Sequence, residues 1–434
     1  MSGADIAWIL AAFSLVLLMF PGLAMLYGGM LNGRSVLNMM MMVMSSLALT
    51  AVVYVIIGRG LVLGNSVGGW GIIGNPFEYS FFDEFLSDDG AGGTLWGAFY
   101  VLFAAIAVAL ASSGAAGRMR FDAWFFFVPV WVVVVYAPIA HWVFAISDEE
   151  SGYVGGWMRN VLGLHDFAGG TAVHMNAGAA GLALAMVLGR RAATTDDKPH
   201  NIPLMLIGAG MIAMGWMGFN GGTAGGANFL AQYVVLTTLL ALCGGIIGMY
   251  ILERLINKAA TLMGLGTGMI AGMVAITPVA DAVTPIGAIC AGAIGATAAF
   301  FAINLKRRHK IDDSVDVFAV HGIAGIAGAL FVVFFGSKAA PAGRAGVFFG
   351  GDIDLIWREL VAIGATLVYS FGMTYLLAWL MSKLMDIRLS PEEEARGVDS
   401  SLHREVAYAH LAMDDVSGEV VPEDQATKAD ATVK

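Results

Sequence analysis

Charged residues are scarce in this chain of 434 residues. Asp, Glu, Lys and Arg make up 13% of it, about half of the share that is usual in soluble proteins. Hydrophobic residues make up 58%, and the mean hydropathy is +0.76. A water-soluble domain needs polar groups over its whole surface, so this composition excludes an ordinary soluble enzyme and predicts a protein surrounded largely by lipid.

Cysteine and long basic runs are also lacking. The two cysteines, Cys243 and Cys290, lie in apolar stretches, which excludes a disulfide framework and a cysteine metal site. The basic run at 306–310 is short and has no aromatic residues between its charges, so nucleic acid is not an expected partner. No histidine has the spacing of a metal ligand, and no catalytic motif lies in the apolar stretches. We therefore predict no metal, no cofactor and no enzymatic activity.

Long stretches without any charge are abundant. A membrane span needs about 20 apolar residues, and ten charge-free stretches reach that length. One of them, 199–252, is long enough for two spans and has a glycine-rich break at 220–226. The sequence therefore predicts an all-α integral membrane protein with eleven transmembrane helices.

The distribution of basic residues predicts the orientation of these spans, because cytoplasmic loops retain Lys and Arg. With the N-terminus outside, only five of the 23 basic residues lie on the outer side, and the other eighteen lie inside. An odd number of spans then places the C-terminus in the cytoplasm. We predict an eleven-span domain over 1–386, with its last span at about 356–386, and a cytoplasmic regulatory tail over 387–434. The tail is expected to be partly disordered, beyond about residue 410.

Two segments of the chain share one pattern, D-x5-A-V-H-x3-G-x2-G. The first runs from Asp166 to His174 and on to Gly181, and the second from Asp313 to His321 and on to Gly328. In the predicted topology they open spans 5 and 10 and enter from opposite sides. This is typical of an inverted repeat, in which the pathway lies between the repeats. We predict repeats over about 5–190 and 199–337, comprising spans 1–5 and 6–10, with span 11 as an addition.

His174 and His321 lie about two turns inside apolar helices, where an imidazole without a hydrogen-bond partner would be costly. A lone buried histidine is usually bonded to a backbone carbonyl. Two histidines related by symmetry can instead satisfy each other and line a pore. Asp166 and Asp313 stand at the helix starts, where capping is sufficient to explain them.

Motifs along residues 8 to 408 resemble those of the ammonium transporter family, which includes the Amt, Mep and Rh proteins; the bacterial Amt branch is the nearest in pattern. The matching segments are 26–30, 117–121, 138–141, 166–174, 199–201, 215–220, 312–322 and, in the tail, 388–399. The resemblance implies a homotrimer in the cytoplasmic membrane with one pore per subunit. A signal protein of the PII type is a further implied partner at the cytoplasmic face.

The same resemblance implies roles for individual residues. His174 and His321 match the family's twin pore histidines, and Phe103 and Phe219 match the stacked phenylalanines that close the pore on the outside. The outer recruitment site would comprise Phe99, Phe103, Phe144 and Thr223. Two of these depart from the family pattern, since Thr223 replaces a serine and Phe144 replaces a tryptophan; Trp142 or Trp157 could compensate. In the tail, Arg404 stands where the family usually has glycine.

The implied function is ammonium uptake. Ammonium would be held and deprotonated outside, and ammonia would pass the histidines, with the proton crossing separately if transport is electrogenic. An alternative is an ammonium sensor, or transceptor, with a signalling tail and little flux.

Overall fold

A computed structural model describes residues 1–86, 93–192 and 198–408. Within these ranges the structure is helical and contains no sheet, only three isolated β-bridges. The helices are α1 (Gly3–Met30), α2 (Val36–Leu63), α3 (Leu95–Gly114), α4 (Phe121–Phe144), α5 (Gly170–Leu188), α6 (Ile202–Thr223), α7 (Phe229–Asn257), α8 (Leu262–Ile276), α9 (Pro285–His309), α10 (Phe318–Phe335), α11 (Leu355–Leu384) and the short α12 (Pro391–Arg396).

In the part of the chain that the structure describes, ten helices are long and apolar enough to cross a membrane. The one predicted span that is missing from these ten corresponds to α8, which has only 15 residues. Its charge-free stretch runs on to residue 280, but the helix ends before Pro278, which cannot continue it. The carbonyls of Thr277 and Pro278 instead accept hydrogen bonds from the backbone of Ala168 and Phe167, at 3.2 and 3.0 Å. The break in α8 thus anchors the segment that leads into α5.

Helix α2 extends about one turn beyond the charge-free stretch that predicts it, which ends before Arg59. Helix α2 continues to Leu63, and Arg59 is buried in it with 6% of its surface exposed. Its guanidinium lies over the rings of Tyr79 and Phe82, with its Cζ 4.6 and 4.8 Å from their centroids. Aromatic faces that stabilise a cation allow the charge to be buried, and hydropathy alone does not reveal this.

Helices α5 and α10 cross at two glycines. A Cβ atom added to Gly178 would lie 2.6 Å from the Cα atom of Gly322, closer than real contacts allow. Only glycine permits this approach of the two backbones. The crossing lies one turn beyond His174 on α5 and directly after His321 on α10, so it brings the two histidines into the same layer of the molecule.

The beginning of the tail folds back onto the loops at one end of the helices. Leu389 donates its backbone N–H to the carbonyl of Arg118 at 2.9 Å. Asp399 accepts the backbone N–H groups of Leu37 and Asn38 at the start of α2, at 3.0 and 2.9 Å. The residues beyond 410 that are expected to be disordered lie outside the described part of the chain.

Candidate functional site

His174 and His321 lie side by side in the middle of the helix bundle. Each is in the first turns of its helix, and both of these turns are π-helical, at Gly170–Met175 and Phe318–Ile323. The Nδ1 atoms are 3.3 Å apart, and the side chains are almost completely buried. The structure thus brings the two predicted residues together in a geometry that allows one hydrogen bond between the rings.

The two predicted acids hold the starts of these helices. Asp166 accepts the backbone N–H groups of Gly169, Gly170 and Thr171 at 2.7 to 2.8 Å. Asp313 accepts the N–H of Phe318 at 2.9 Å and a hydrogen bond from the hydroxyl of Ser113 on α3. These contacts are those of helix caps, which satisfy N–H groups that have no partner within the helix. Their effect on the site is to fix the direction of the helices that carry the histidines.

The cavity around the histidines is lined almost entirely by apolar side chains. The two imidazoles and the Trp216 indole are its only polar side chains among the described lining residues; the others are Met19, Leu23, Leu26, Ile106, Leu110, Ile212 and Ile270. Nε2 of His174 is buried and has no hydrogen-bond partner in the described structure. A buried polar atom of this kind fits a site that a small polar molecule or water occupies.

Trp216 belongs to this site, although the sequence analysis did not single it out. Its ring stacks on His174, with a centroid distance of 5.0 Å and an interplanar angle of 26°. Its indole N–H donates to the hydroxyl of Thr277 at 2.9 Å, which fixes the ring. Trp216 precedes Phe219 by three residues on α6, so helical spacing places both on one face. The spacing of three residues from Phe219 is the sequence feature that could have identified Trp216 as a residue of the site.

Phe103 and Phe219 form a parallel stack near His174. Their ring centroids are 3.8 Å apart with an angle of 10°, and neither side chain is exposed. The centroid of Phe219 lies 6.0 Å from that of His174. The stack therefore lies beside His174.

Beyond the stack, further aromatic rings gather on the same side. Phe103 lies 5.0 Å from Phe99 and 6.1 Å from Phe144, measured between centroids. Tyr100, which the sequence analysis missed, lies 5.2 Å from Phe144. Thr223 is one helical turn beyond Phe219, and its hydroxyl donates to the Phe219 carbonyl at 2.8 Å. Its oxygen lone pairs are left to accept a hydrogen bond from another molecule.

The two tryptophans that could compensate for Phe144 pack against each other, with centroids 5.8 Å apart. The indole N–H of Trp142 donates to the carbonyl of Ile72 at 2.7 Å, and its ring lies against Tyr369. Trp142 thus joins the end of α4 to the loop between α2 and α3. Among the described residues, no group of three or more His, Cys, Asp or Glu side chains is placed to hold a metal ion.

Comparison with known proteins places the chain in a family. The profile of the Ammonium Transporter Family matches residues 7–408. The chain belongs to this family. An ammonium transporter of Corynebacterium glutamicum is 63% identical over 411 residues, which cover 95% of this chain and 90% of the relative. An ammonium transporter of Bacillus subtilis is 39% identical, with 91% and 96% of the two chains covered.

Solved structures of ammonium transporter relatives have the same fold. Mep2 of Candida albicans superimposes with a TM-score of 0.81 at 28% identity, covering 97% of this chain and 93% of that one. A protein described as a sensor Amt protein gives a TM-score of 0.81 at 26% identity, with coverages of 91% and 97%. This chain is therefore a multi-span membrane protein of a transporter family with the Amt and Mep fold.

In this member of the ammonium transporter family, the cavity continues past His321 away from the phenylalanine stack. Leu26, Ile270 and His321 line both the histidine cavity and the next one, which also contacts Tyr27 and Met30. Met30 in turn borders a wide opening near Arg191 and Asp312. Neighbouring cavities thus lie between the histidines and the loops at the end where the tail folds back.

A buried arginine connects these loops. Arg118 has no exposed side-chain surface and donates to the carbonyls of Gly114, Gly189 and Asp312. Its guanidinium also lies 3.5 Å from the carboxylate of Asp312. Burial lowers the pKa of Arg118 to about 10, and the charge of Asp312 opposes this. Burial acts to raise the pKa of Asp312, but its hydrogen bonds with Arg191 and the nearby guanidinium charges hold it below its ordinary value.

Proposed function

We propose that this protein moves ammonium across the cytoplasmic membrane through the cavity between α5 and α10. The observation that carries the proposal is the pair of facing histidines in an otherwise apolar cavity, with the Phe103–Phe219 stack beside His174. The family supports ammonium as the substrate class.

Selectivity in this proposal rests on the loss of a proton. Ammonium and potassium are similar in size and charge, but only ammonium can be deprotonated. A full charge in the apolar cavity would cost several kcal/mol, so potassium is excluded, whereas neutral ammonia can enter. Inside, ammonia would form a hydrogen bond with the free Nε2 of His174. The two histidines would also offer a separate route for the proton, which makes transport electrogenic.

The outer recruitment site in this proposal consists of Phe99, Phe103, Phe144 and Thr223. Aromatic faces attract a cation through their quadrupole, and the Thr223 hydroxyl can accept one N–H of ammonium. The bound ammonium would then lose its proton on the outer side of the phenylalanine stack. The cluster of rings between Phe99 and Phe144 supports this assignment.

We propose the predicted topology for the whole chain: eleven crossings, with α8 as the short one, in two inverted repeats over about 5–190 and 199–337, followed by α11. The similar entries of α5 and α10, each with a capping aspartate and a π-helical turn, support the repeat. The N-terminus would be outside and the regulatory tail, 387–434, inside. The assembly would be a homotrimer, with the cytoplasmic face available to a PII-type signal protein.

A sensor with little flux is the second candidate. One observation favours it: position 144 holds a phenylalanine, where a tryptophan would bind a cation more strongly. Growth of a strain that lacks its own ammonium uptake, on limiting ammonium, separates the two. Restored growth indicates a transporter, and absent growth at normal protein levels indicates a sensor.

Current measurement in proteoliposomes tests the main proposal. An ammonium pulse should produce a transient current that depends on the protein, and an equal potassium pulse should not. Ammonium uptake without current would overturn the electrogenic route while leaving transport intact. Equal currents for the two cations would overturn the deprotonation mechanism.

A further inference from the structure

The segment that leads into α5, residues 162–169, is held on two sides by other parts of the chain. We name it the α5 entry. Phe167 and Ala168 donate their backbone N–H groups to carbonyls of the linker between α8 and α9. On the other side, Arg358 near the start of α11 donates to the carbonyl of Leu162 at 3.3 Å. The α5 entry therefore lies between this linker and α11, with contacts to both.

His165, in the middle of the α5 entry, contacts both of these neighbours. Its backbone N–H donates to Oε1 of Glu359 on α11 at 2.9 Å. Its ring Nε2 lies 3.0 Å from Oδ1 of Asp281 in the linker between α8 and α9. Glu359 is fully buried, and its Oε2 has no hydrogen-bond partner in the described structure. Among the described residues, His165 thus supplies the hydrogen bond that this buried carboxyl group receives.

The α5 entry ends against a ring of the proposed outer recruitment site. A Cβ atom added to Gly169 would lie 3.0 Å from Cζ of Phe144, so the ring packs closely on this glycine. Asp166, which follows His165 in the chain, accepts the backbone N–H of Gly169 at 2.8 Å. A displacement of His165 is therefore transmitted through Asp166 and Gly169 to the surface that supports the Phe144 ring.

Charged side chains surround His165, which can itself change charge. Those on the elements packed around it are Asp166 of its own segment, Asp281 of the linker, Asp354, Arg358 and Glu359 at the start of α11, and Arg344 of the loop after α10. The His165 side chain keeps 9% of its surface exposed, so it can exchange a proton with the solution. Histidine commonly changes charge between pH 5 and 8. A protonated ring forms a charge-assisted bond with Asp281, about twice as strong as the bond of a neutral ring.

We infer that His165 is a positioning residue for the outer recruitment site, and that its protonation makes ammonium binding there stronger at low outer pH. The inference rests on the proposed function, in which Phe144 meets the cation on the outer side. Protonated His165 binds Asp281 more strongly and holds the α5 entry in place, so a larger fraction of molecules has the outer site in its binding arrangement. The apparent affinity of a site falls in proportion to the fraction of molecules in which it can bind.

Ammonium currents in proteoliposomes test the effect of His165 on binding. The outer bath is set to about pH 5.5 or about pH 7.5, within the range in which histidine changes charge. The apparent KM of the unmodified chain should be about threefold lower at the acidic value, because more molecules can bind. His165→Gln keeps a donor for Asp281 but cannot change charge, so its KM should be nearly the same at both values. His309→Gln, a change at an exposed histidine at the far end of α9, should keep the threefold response.

Two substitutions of Glu359 separate positioning from a merely structural role. Glu359→Gln keeps an oxygen for the His165 N–H but cannot carry a charge, so the KM and its pH response should match the unmodified chain. Glu359→Ala removes the acceptor, and the KM should rise about threefold while the maximal flux at the same pH stays unchanged. If Glu359→Ala does not fold, Asp281→Asn takes its place, and it should abolish the pH response of the KM. Loss of that response in Glu359→Gln would overturn the inference, because the titrating group would then be Glu359.

Hydrogen exchange in detergent distinguishes a failure of this inference from a failure of the proposed function. Relative to the intrinsic rate at each pH, the amides of Phe167 and Ala168 should exchange about threefold more slowly at pH 5.5 than at pH 7.5 in the unmodified chain. His165→Gln should remove this difference. If the difference is present but no variant transports ammonium, the proposed function fails and the pH-dependent hold of His165 on the α5 entry stands. If ammonium is transported but the exchange or the KM responds to pH equally in both proteins, the inference is overturned.

Discussion

His174 and His321 face each other through the same ring atom, with their Nδ1 nitrogens 3.3 Å apart. In a neutral pair only one Nδ1 can carry the proton, so one ring donates and the other accepts. The ring that donates through Nδ1 then has an acceptor at Nε2, and its partner has a donor there. The pair therefore presents one donor and one acceptor to a molecule in the cavity. These roles are exchanged only when the Nδ1 proton shifts to the other ring, that ring releases its Nε2 proton, and the first ring takes up a proton at its own Nε2.

Replacing His321 with alanine removes the partner of His174 and leaves a polar ring alone in an apolar cavity. We expect ammonium flux to fall at least about tenfold, or potassium to pass, because water and ions can enter the enlarged space. Ammonium and potassium currents in proteoliposomes measure both outcomes. The matched control is His309→Ala, which removes an exposed histidine outside the cavity. Unaltered flux and selectivity in the His321 variant would remove the pair from the mechanism.

Phe144→Trp should strengthen cation binding at the proposed outer recruitment site. The larger quadrupole of an indole attracts a cation more strongly, by about 0.5 to 1 kcal/mol. We therefore expect the apparent KM for ammonium to fall about two- to fivefold, by the usual conversion of free energy to affinity. The same change at Phe77, an exposed loop residue, should leave the KM unchanged. If Phe144→Trp leaves the apparent KM for ammonium unchanged, the cation binds at a different place.

Asp312→Asn should destabilise the protein by about 3 kcal/mol near neutral pH, because it leaves the buried Arg118 without its nearest carboxylate. Thermal unfolding in detergent measures the loss, with the exposed Asp352→Asn as control. The pKa of Asp312 lies below its ordinary value in the folded protein. Its contribution is therefore present above the ordinary pKa of about 4 and is lost as the pH falls. The difference in the free energy of unfolding between the variant and the unmodified protein should therefore become smaller at acidic pH.

Arg404→Gly should stabilise the folded part of the tail. Arg404 has φ +55°, a left-handed conformation that costs a side-chain-bearing residue about 1 kcal/mol and glycine almost nothing. We expect slower hydrogen exchange in residues 386–404. Lys258→Gly is a matched control, since Lys258 also has a positive φ, +64°, in a different loop. Faster exchange in the Arg404 variant would show that its side chain holds the tail in place.

Absence of charge was sufficient to predict most of the helices, because hydrocarbon tolerates few charged groups. It could not predict the ends of α2 and α8. Arg59 is buried beneath aromatic rings in α2, and a proline stops α8 within an uncharged stretch. Both depend on local geometry that composition does not record.

The meeting of His174 and His321 was predictable because the repeated pattern carries its own spacing. Trp216 and Tyr100 were not singled out, since an aromatic residue in an apolar helix is usually part of the core. Arg118 was counted only as a loop charge. Its burial depends on carbonyls contributed by three separate parts of the chain, a convergence that no local stretch of sequence contains.

The Arg118 network also limits how this molecule can move. Its guanidinium ties Gly114 and Gly189, in the first part of the chain, to Asp312 in the second. Separation of these parts, as in a carrier that rocks between two open states, would leave a buried cation without its partners, at a cost of several kcal/mol. The hydrogen bonds of Arg118 thus hold the backbone at this end of the molecule in one arrangement. On the proposed function, opening and closing would then be left to side chains such as the phenylalanine stack, which can turn without breaking these hydrogen bonds.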